Sequence, residues 1–318
     1  MPTGVLLLVN RSKPEVVAAL PEVRDLIAQR GRGRIVAELD ADSSLLPAAT
    51  IADAHLAVVL GGDGTLMAQS RRCVAAGIDL PMLGVNLGKL GFMAEFDLPA
   101  LRVQAPALFG GAPLVLQDRP MLRASVLRAG SSNRTQDDGP LSRTLALNDA
   151  VVTAGPPYRM ITLDIRIGGE GGPTITGDGL IVSTPIGSTA YNASAGGPIV
   201  SPEVPAITIT AIAPHTLSFR PVVVALTSTI ELKITRANDG SERSDGLLAE
   251  LDGSTGAMGG GTTLVLDGQV PTSLRTGDTV IIRRHTRPVR FVRNPAGSYW
   301  ATLINKMKWA TPPAARSR

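Results

Sequence analysis

Hydrophobic residues fall in two different rhythms along this chain. Up to about residue 118, short apolar runs alternate with stretches of helical period. "GVLLLV" predicts a buried strand, and "PEVVAALPEVRDLIAQRG" a helical segment that Pro21 breaks or restarts and Gly31 ends. "GRIVAEL" and "HLAVVL" predict further strands, "TLMAQSRRCVAAG" a helix, and "PMLGVNLG" a strand and turn. Strands alternating with helices imply an α/β domain whose parallel sheet is covered on both faces. Beyond about Leu122 the period becomes two. Ile161, Leu163, Ile165 and Ile167 alternate with Thr162, Asp164 and Arg166, and "TIELKIT" does the same through Ile230, Leu232 and Ile234. With "AITITAIA", "TTLVLDG" and "DTVIIRR", residues 119–293 are expected to form a β-rich domain, an antiparallel two-sheet sandwich.

Two polar stretches, "AGSSNRTQDDGPLSR" and "ANDGSERSDGLLAELDGSTGAMGGG", read as loops or insertions. Near the end, Tyr299, Trp300, Leu303, Ile304 and Met307 share a helical face. Such a face needs a partner. We therefore expect residues 294–318 to join the domain of residues 1–118, the C-terminal helix packing back on it.

Composition narrows the classes. A length of 318 residues with 44% hydrophobic content suits two domains, whereas 3% aromatics disfavours nucleic-acid binding by base stacking. The net charge of +4 is an ordinary surface bias, and Arg283, Arg284, Arg287, Arg290 and Arg293 read as a solvated strand face. Cys73 is the single cysteine and His55, His215 and His285 are scattered, so no disulfide and no cysteine or histidine metal site is expected. No apolar run reaches the roughly 18 residues of a membrane helix, and the N-terminal apolar run lacks the basic segment of a signal peptide. A soluble, cytoplasmic protein is expected.

The stretch "LAVVLGGDGTLMAQS" runs from a strand through glycines into a helix, the local layout of a phosphate cradle. Gly61, Gly62 and Gly64 allow close backbone approach. Yet Asp63 sits among them, and a carboxylate about 4 Å from a phosphate oxygen is repelled by roughly 4 kcal/mol at an effective dielectric near 20. Two roles make sense of it: holding a metal that bridges phosphates, or taking the proton of an attacking hydroxyl. Neither a Walker A pattern nor a G-x-G-x-x-G opening a helix is present.

The loop resembles that of kinases sharing G-G-D-G-[TS]: NAD kinases, diacylglycerol and sphingosine kinases, and 6-phosphofructokinases. "TGDGLIVSTPIGSTAYNASAGGPIVSP" chooses among them, being similar to the NAD kinase signature D-G-x-x-x-S-T-P-x-G-S-T-A-Y followed by A-G-G-P. "GVNLGKLGFMAEF", "LALNDAVVT", "PHTLSFRPVVV", "LDGQ" and "NPAGSYWATLINKMKW" extend the resemblance over nearly the whole chain.

What the resemblance implies is ATP- or polyphosphate-dependent phosphorylation of the 2′-hydroxyl of the adenosine ribose of NAD, with Mg2+ and Asp63 as general base. It places Gly61, Gly62, Gly64, Thr65 and Asn86 against the bound substrates, with Asn148, Asp149, Arg159, Asp178, Thr189, Ala190, Tyr191, Asn192, Ser194 and Gln269 lining the dinucleotide site. It assigns no protein metal ligand, and it implies a homodimer or homotetramer built through the β-rich domain. From the residues alone, Asn148–Asp149 is a turn dipeptide, Arg159 an exposed strand-end charge and Gln269 a turn residue. The chain departs from the family at Ile186, where Thr or Ser is usual, at Thr176–Gly177, where a basic residue often precedes the aspartate, and in a long insertion over 237–261. A lipid kinase shares the first loop, but no G-T-G-N-D sequence and no membrane-binding helix follow it. A nucleotide-binding regulator without turnover is the remaining alternative.

Overall fold

The structure, a computed structural model, describes residues 3–43, 51–88, 91–130, 144–238 and 261–308. Most of both polar stretches and the tail "TPPAARSR" therefore lie outside the described residues. Two compact units emerge, Met1–Arg119 with Val289–Arg318, and Pro120–Pro288.

The first unit begins with β1 (Gly4–Val9), α1 (Pro14–Asp25), β2 (Arg34–Asp40), β3 (Leu56–Leu60), α2 (Asp63–Ala75), β4 (Met82–Val85), α3 (Leu98–Phe109) and β5 (Leu116–Arg119). The second unit follows with β6 (Leu122–Leu127), β7 (Leu145–Ala146), β8 (Asp149–Thr153), β9 (Ile161–Ile167), β10 (Glu170–Gly177) and β11 (Gly179–Ser183). After the single-turn α4 (Tyr191–Ser194) come β12 (Ala206–Ile212), β13 (Val222–Ala225), β14 (Ile230–Arg236), β15 (Thr263–Leu266), β16 (Val270–Ser273) and β17 (Thr279–Arg284). The chain then returns to the first unit as β18 (Val289–Val292) and α5 (Tyr299–Met307).

In the first unit the sheet order is β2-β1-β3-β4-β18-β5. The strands from β2 to β18 pair in parallel, while β5 is antiparallel to β18. The sheet is thus mixed rather than wholly parallel, because the chain leaves the unit along β5 and comes back along β18. Strands β1 and β3 are buried along their whole length, as a strand covered on both faces must be. Residues of α1 and α3, among them Val16, Leu20, Val23, Leu101 and Phe109, pack with Val5, Leu7 and Val58 of one face. Helix α2 lies close to β4, where a Cβ on Gly84 would sit 2.6 Å from Leu66 Cδ2.

The helix break expected at Pro21 does not occur, since α1 passes through it. The carbonyl that loses its donor belongs to Val17, a residue 44% exposed on the outer side of the helix. The segment ends in a π-helical turn, Leu26–Arg30, with the Gly31 N–H donating to the Leu26 carbonyl at 2.8 Å.

The second unit is built of two antiparallel sheets, β10-β9-β14-β17-β6-β7 and β13-β12-β11-β8-β15-β16. Alternate residues of the first sheet, including Leu163, Ile165, Leu232 and Ile282, share one core with Val152, Leu180, Val182 and Ile207 of the second. Ile167, expected to face inward with Ile161, Leu163 and Ile165, is only partly buried at the strand end. Leu232 is fully buried in the middle of this core, so Leu232→Ala is expected to cost about 2–5 kcal/mol of stability, measured as a lower urea midpoint.

Unlike its partner, the second sheet is also covered on its outer face. Ile181, Ser183, Thr208 and Thr210 are buried there, and Asn192 in the loop after β11 bonds to the last two.

In α5 the expected apolar face is divided. Leu303 is fully buried and Tyr299 half-buried, whereas Trp300, Ile304 and Met307 are exposed. Tyr299, Leu303 and Met307 follow one another at one-turn spacing on one line, Met307 lying at the exposed end of the helix, whereas Trp300 and Ile304 are rotated off that line. The helix is held by Tyr299 against the Phe92 ring, 6.4 Å between centroids, and by the Lys306 ammonium 4.8 Å from that ring. Its N-cap is Ser298, whose hydroxyl accepts from the Ala301 N–H. Among the described residues, no helix is long and apolar enough to cross a membrane.

Candidate active site

The parallel part of the first sheet reverses its direction of winding between β1 and β3, with β2 on one side and β4 on the other. A crevice at the carboxyl ends of such strands is where open α/β sheets bind ligands. The glycine loop sits at this point. Gly61 has φ +157° and a Cβ there would lie 2.6 Å from Thr65 Oγ1, so only glycine lets the chain turn tightly from β3 into α2. Thr65 is in turn fixed by the Asn10 side-chain amide, which donates to its hydroxyl at 3.0 Å. Gly62 is the N-cap of α2. A Cβ on Gly62 would stand 3.7 Å from Lys13 Nζ and 4.0 Å from Asn86 Oδ1. Lys13, in the loop after β1, was not among the residues singled out from the sequence, because nothing local links it to a loop some fifty residues on.

Asp63 opens α2, where the helix dipole favours a carboxylate. Its Oδ2 accepts from the Phe92 N–H at 2.8 Å, and its Oδ1 from Met93 and Ala94 at 3.2 and 3.0 Å. A carboxylate has about four acceptor positions, so one remains on Oδ2. Gly91 leaves room for this arrangement, since a Cβ there would fall 1.8 Å from Oδ1. The segment that holds Asp63 is itself braced by the returning chain: the Asn294 N–H donates to Glu95 Oε2 at 2.9 Å and its side-chain amide to the Glu95 carbonyl at 3.0 Å.

The second unit carries a cavity of about 330 Å³. Asp149, Val151 and Thr153 of β8 and Val265 of β15 form its floor, while Asn148, Ala190, Tyr191, Asp267 and Gly268 complete the wall. Residues 149, 151 and 153 point there because 150 and 152 point into the sandwich core. Two polar features distinguish it. Asn148 Oδ1 is buried and has no hydrogen-bond partner, which is a costly condition unless a ligand supplies the donor. Asp149 is almost wholly buried, and burial first, then the nearby Asp267 charge, push its carboxyl up to about 7.

That shift makes stability depend on pH. Between the unfolded value of 3.8 and about 7 the unfolded chain releases the proton while the buried carboxyl keeps it, so the stability it contributes at acid pH is lost as pH rises through this window. Asp149→Asn is expected to flatten that part of the profile, which urea unfolding of both proteins across the window would read.

Of the residues expected to meet substrate on this unit, Asn148, Asp149, Ala190 and Tyr191 line the cavity. Thr189, Ser194, Asp178, Arg159 and Gln269 do not. Asp178 is exposed at the corner between β10 and β11, Arg159 is exposed ahead of β9, and Gln269 is exposed in the β15–β16 turn. Asn192 is fully buried, and its amide serves the loop itself: Nδ2 donates to the Ser188 and Pro198 carbonyls, and Oδ1 accepts from Thr208 and Thr210. Ile186 is buried under the same loop. A second residue that sequence reasoning missed is Asp267, the fifth residue of "TLVLDG". It lies opposite Asn148 and Asp149 only because β15 pairs with β8.

Among the described residues no group of three His, Cys, Asp or Glu side chains is placed to hold a metal ion.

The chain matches the ATP-NAD kinase N-terminal domain over residues 5–112 and the ATP-NAD kinase C-terminal domain over residues 147–256. It is 35% identical over 311 residues to a NAD kinase of Desulforamulus reducens, covering 95% of this chain and 96% of the relative. Among solved structures it resembles yeast NADH kinase complexed with NADH, at a TM-score of 0.73 and 24% identity, over 100% of this chain and 90% of the other. It also resembles an NAD kinase from Archaeoglobus fulgidus in complex with ATP, at a TM-score of 0.68 and 21% identity, over 96% and 98% of the two chains. These structures share the fold, and the full-length likeness to the Desulforamulus enzyme, with both halves matching the kinase domains, places this chain in the NAD kinase family of phosphotransferases.

Proposed function

We propose that the protein transfers the terminal phosphoryl group of ATP to the 2′-hydroxyl of the adenosine ribose of NAD, giving NADP. The observation that carries the substrate assignment is the unpartnered, buried Asn148 Oδ1 beside Asp149 in the cavity of the second unit. An orphaned acceptor next to a carboxyl that can hold its proton suits a ligand rich in hydroxyl groups. At about 330 Å³ the cavity is at the small end of ligand pockets, sized for a nucleoside half of the dinucleotide, and the Tyr191 ring offers a flat apolar contact to a base.

On the first unit, the glycine loop and the N-terminus of α2 receive the donor phosphates, with the Lys13 ammonium adding positive charge beside Gly62. ATP as donor is supported by the Archaeoglobus relative, which was solved with ATP. Mg2+ enters as part of the Mg–ATP substrate; this ion keeps phosphate oxygens and waters as ligands and needs no protein cage. Asp63 accepts the proton of the 2′-hydroxyl on the remaining lone pair of Oδ2 as the oxygen bonds to phosphorus and ADP departs. Positioning and charge neutralisation supply most of the acceleration. The exposed edge strand β13, with Val222 and Val223 on its surface, supports self-association through the second unit.

The test is a donor-by-acceptor matrix on purified protein, ATP or polyphosphate against NAD or NADH, read as NADP or NADPH formed. NADP from Mg–ATP and NAD is expected. Asn148→Ala is expected to raise KM for NAD by about fivefold to fiftyfold with kcat little changed. Lipid phosphorylation, or NAD binding without product under every donor, would instead favour the two alternatives raised by the sequence.

A further inference from the structure

We infer that Asp267 is a positioning residue for the nucleoside cavity: its carboxylate anchors the turn Leu147–Asp149 so that the side chains of Asn148 and Asp149 face the ligand. This rests on the proposal that the cavity holds part of the dinucleotide.

Three successive peptide N–H groups converge on this one carboxylate. Leu147 donates to both oxygens at 3.0 Å, Asn148 to Oδ1 at 2.7 Å and Asp149 to Oδ1 at 3.2 Å. In return, the Asp267 N–H donates to the Asp149 carbonyl at 3.0 Å. Asp267 is itself buried and has φ +49°, a left-handed conformation that a non-glycine residue holds only when its surroundings fix it. The carbonyls of the turn are gripped from the other side: Thr184 donates through its hydroxyl to Leu147 at 2.6 Å and through its N–H to Asn148 at 2.8 Å. The turn is therefore clamped between an anion and the end of β11, and the anion is the only charged member of the clamp. Converging peptide dipoles stabilise a buried negative charge in a way that a neutral amide cannot match.

The charge has a second effect. Of the residues lining the cavity, Asp149, Asp267 and Tyr191 can titrate, and Asp267 adds to burial in holding the Asp149 proton. Position and protonation of Asp149 thus depend on the same neighbour, which separates this role from a purely structural one.

The test compares wild type, Asp267→Asn and Thr184→Val by steady-state kinetics and by NAD titration across the neutral pH range. Asp267→Asn is expected to raise KM for NAD about tenfold, to leave kcat and KM for ATP within about threefold, and to move the pH midpoint of NAD binding toward acid. Thr184→Val, which loosens the uncharged side of the clamp, is expected to raise KM for NAD and leave that midpoint in place. A folded Asp267→Asn enzyme with wild-type KM for NAD, with an unmoved midpoint, or with equal losses in every constant overturns the inference. So does a midpoint that moves equally in Thr184→Val. Should Asp267→Asn not accumulate as folded protein, Asp267→Glu keeps the charge and displaces it; a raised KM for NAD supports the inference and a wild-type value overturns it. If Asn148→Ala and Asp149→Asn leave NAD binding untouched, the cavity assignment fails. If those weaken binding while Asp267→Asn does not, only the role of Asp267 falls.

Discussion

Asp63→Asn is expected to lower kcat by about 10²–10⁴ while leaving KM for NAD within a few-fold, because a proton acceptor acts in the transition state more than in binding. The substitution is close to isosteric, and the structure says what else it changes. The amide oxygen can still accept from Met93 and Ala94, but the amide nitrogen then faces the Phe92 N–H, donor against donor. One lost bond of this kind costs about 1–3 kcal/mol, so the variant is expected to fold with a modestly lower melting temperature. Activity and stability can therefore be separated. Gly91→Ala completes the argument, since it keeps the carboxylate but directs a Cβ to 1.8 Å from Oδ1. A large fall in kcat in that variant ties catalysis to where the carboxylate sits as well as to its charge. Near-wild-type turnover by folded Asp63→Asn would remove Asp63 from the chemistry.

The puzzle of a carboxylate within a glycine loop laid out like a phosphate cradle has, in this structure, a structural half that no local reading supplies. From the sequence, Asp63 is interpretable by chemistry alone, as a base or metal ligand. Its partners at Phe92, Met93 and Ala94 are some thirty residues away and meet it only once β4 has paired with β3. What was legible was whatever a short window contains: the change of period from helical to twofold near Leu122, and glycines at turns that demand them. Long-range partners were not. Asp267 and Asn148 are 119 residues apart, and Lys13 comes to Gly62 from another loop.

The hydroxyl-rich stretch after β11 makes the same point in reverse. Read along the chain, Thr189 to Ser194 offers five candidates for ligand contact, Thr189, Ala190, Tyr191, Asn192 and Ser194, all polar or small except Tyr191. The 3-10 turn and the single helical turn that it adopts distribute those side chains around an axis, so some face the cavity and some the sheet. Asn192 is turned inward onto Thr208 and Thr210, while Ala190 and Tyr191 reach the cavity. Residue type could not sort them, because an amide serves equally well as a ligand contact or as an internal bolt. Pro21 was misread for a related reason: its cost in a helix depends on the surroundings of the residue one turn before it, and that residue, Val17, is exposed.

Gly187→Ala is expected to be strongly damaging for a single added methyl group in the second unit. An added Cβ would lie 2.2 Å from the Asn148 carbonyl oxygen, 2.5 Å from its carbon and 2.6 Å from its Cα. All three atoms are backbone, so no rotamer change relieves the clash. Relief must come from displacing the Leu147–Asp149 turn or the loop after β11, and both are pinned. Thr184 and Ser183 bond to the Asn148 carbonyl from one side, and Asp267 holds the N–H groups from the other. Overpacking of this kind typically costs about 1–3 kcal/mol and occasionally more; a rigid double clamp places this case at the upper end. If the protein remains folded, the displaced Asn148 should raise KM for NAD by more than about tenfold and leave KM for ATP near its wild-type value, because the glycine loop belongs to the other unit. Differential scanning calorimetry reads the first effect and steady-state kinetics the second. Equal rises in both KM values would mean that the two substrates do not depend on separate parts of the chain, and wild-type values throughout would mean that the turn yields without consequence.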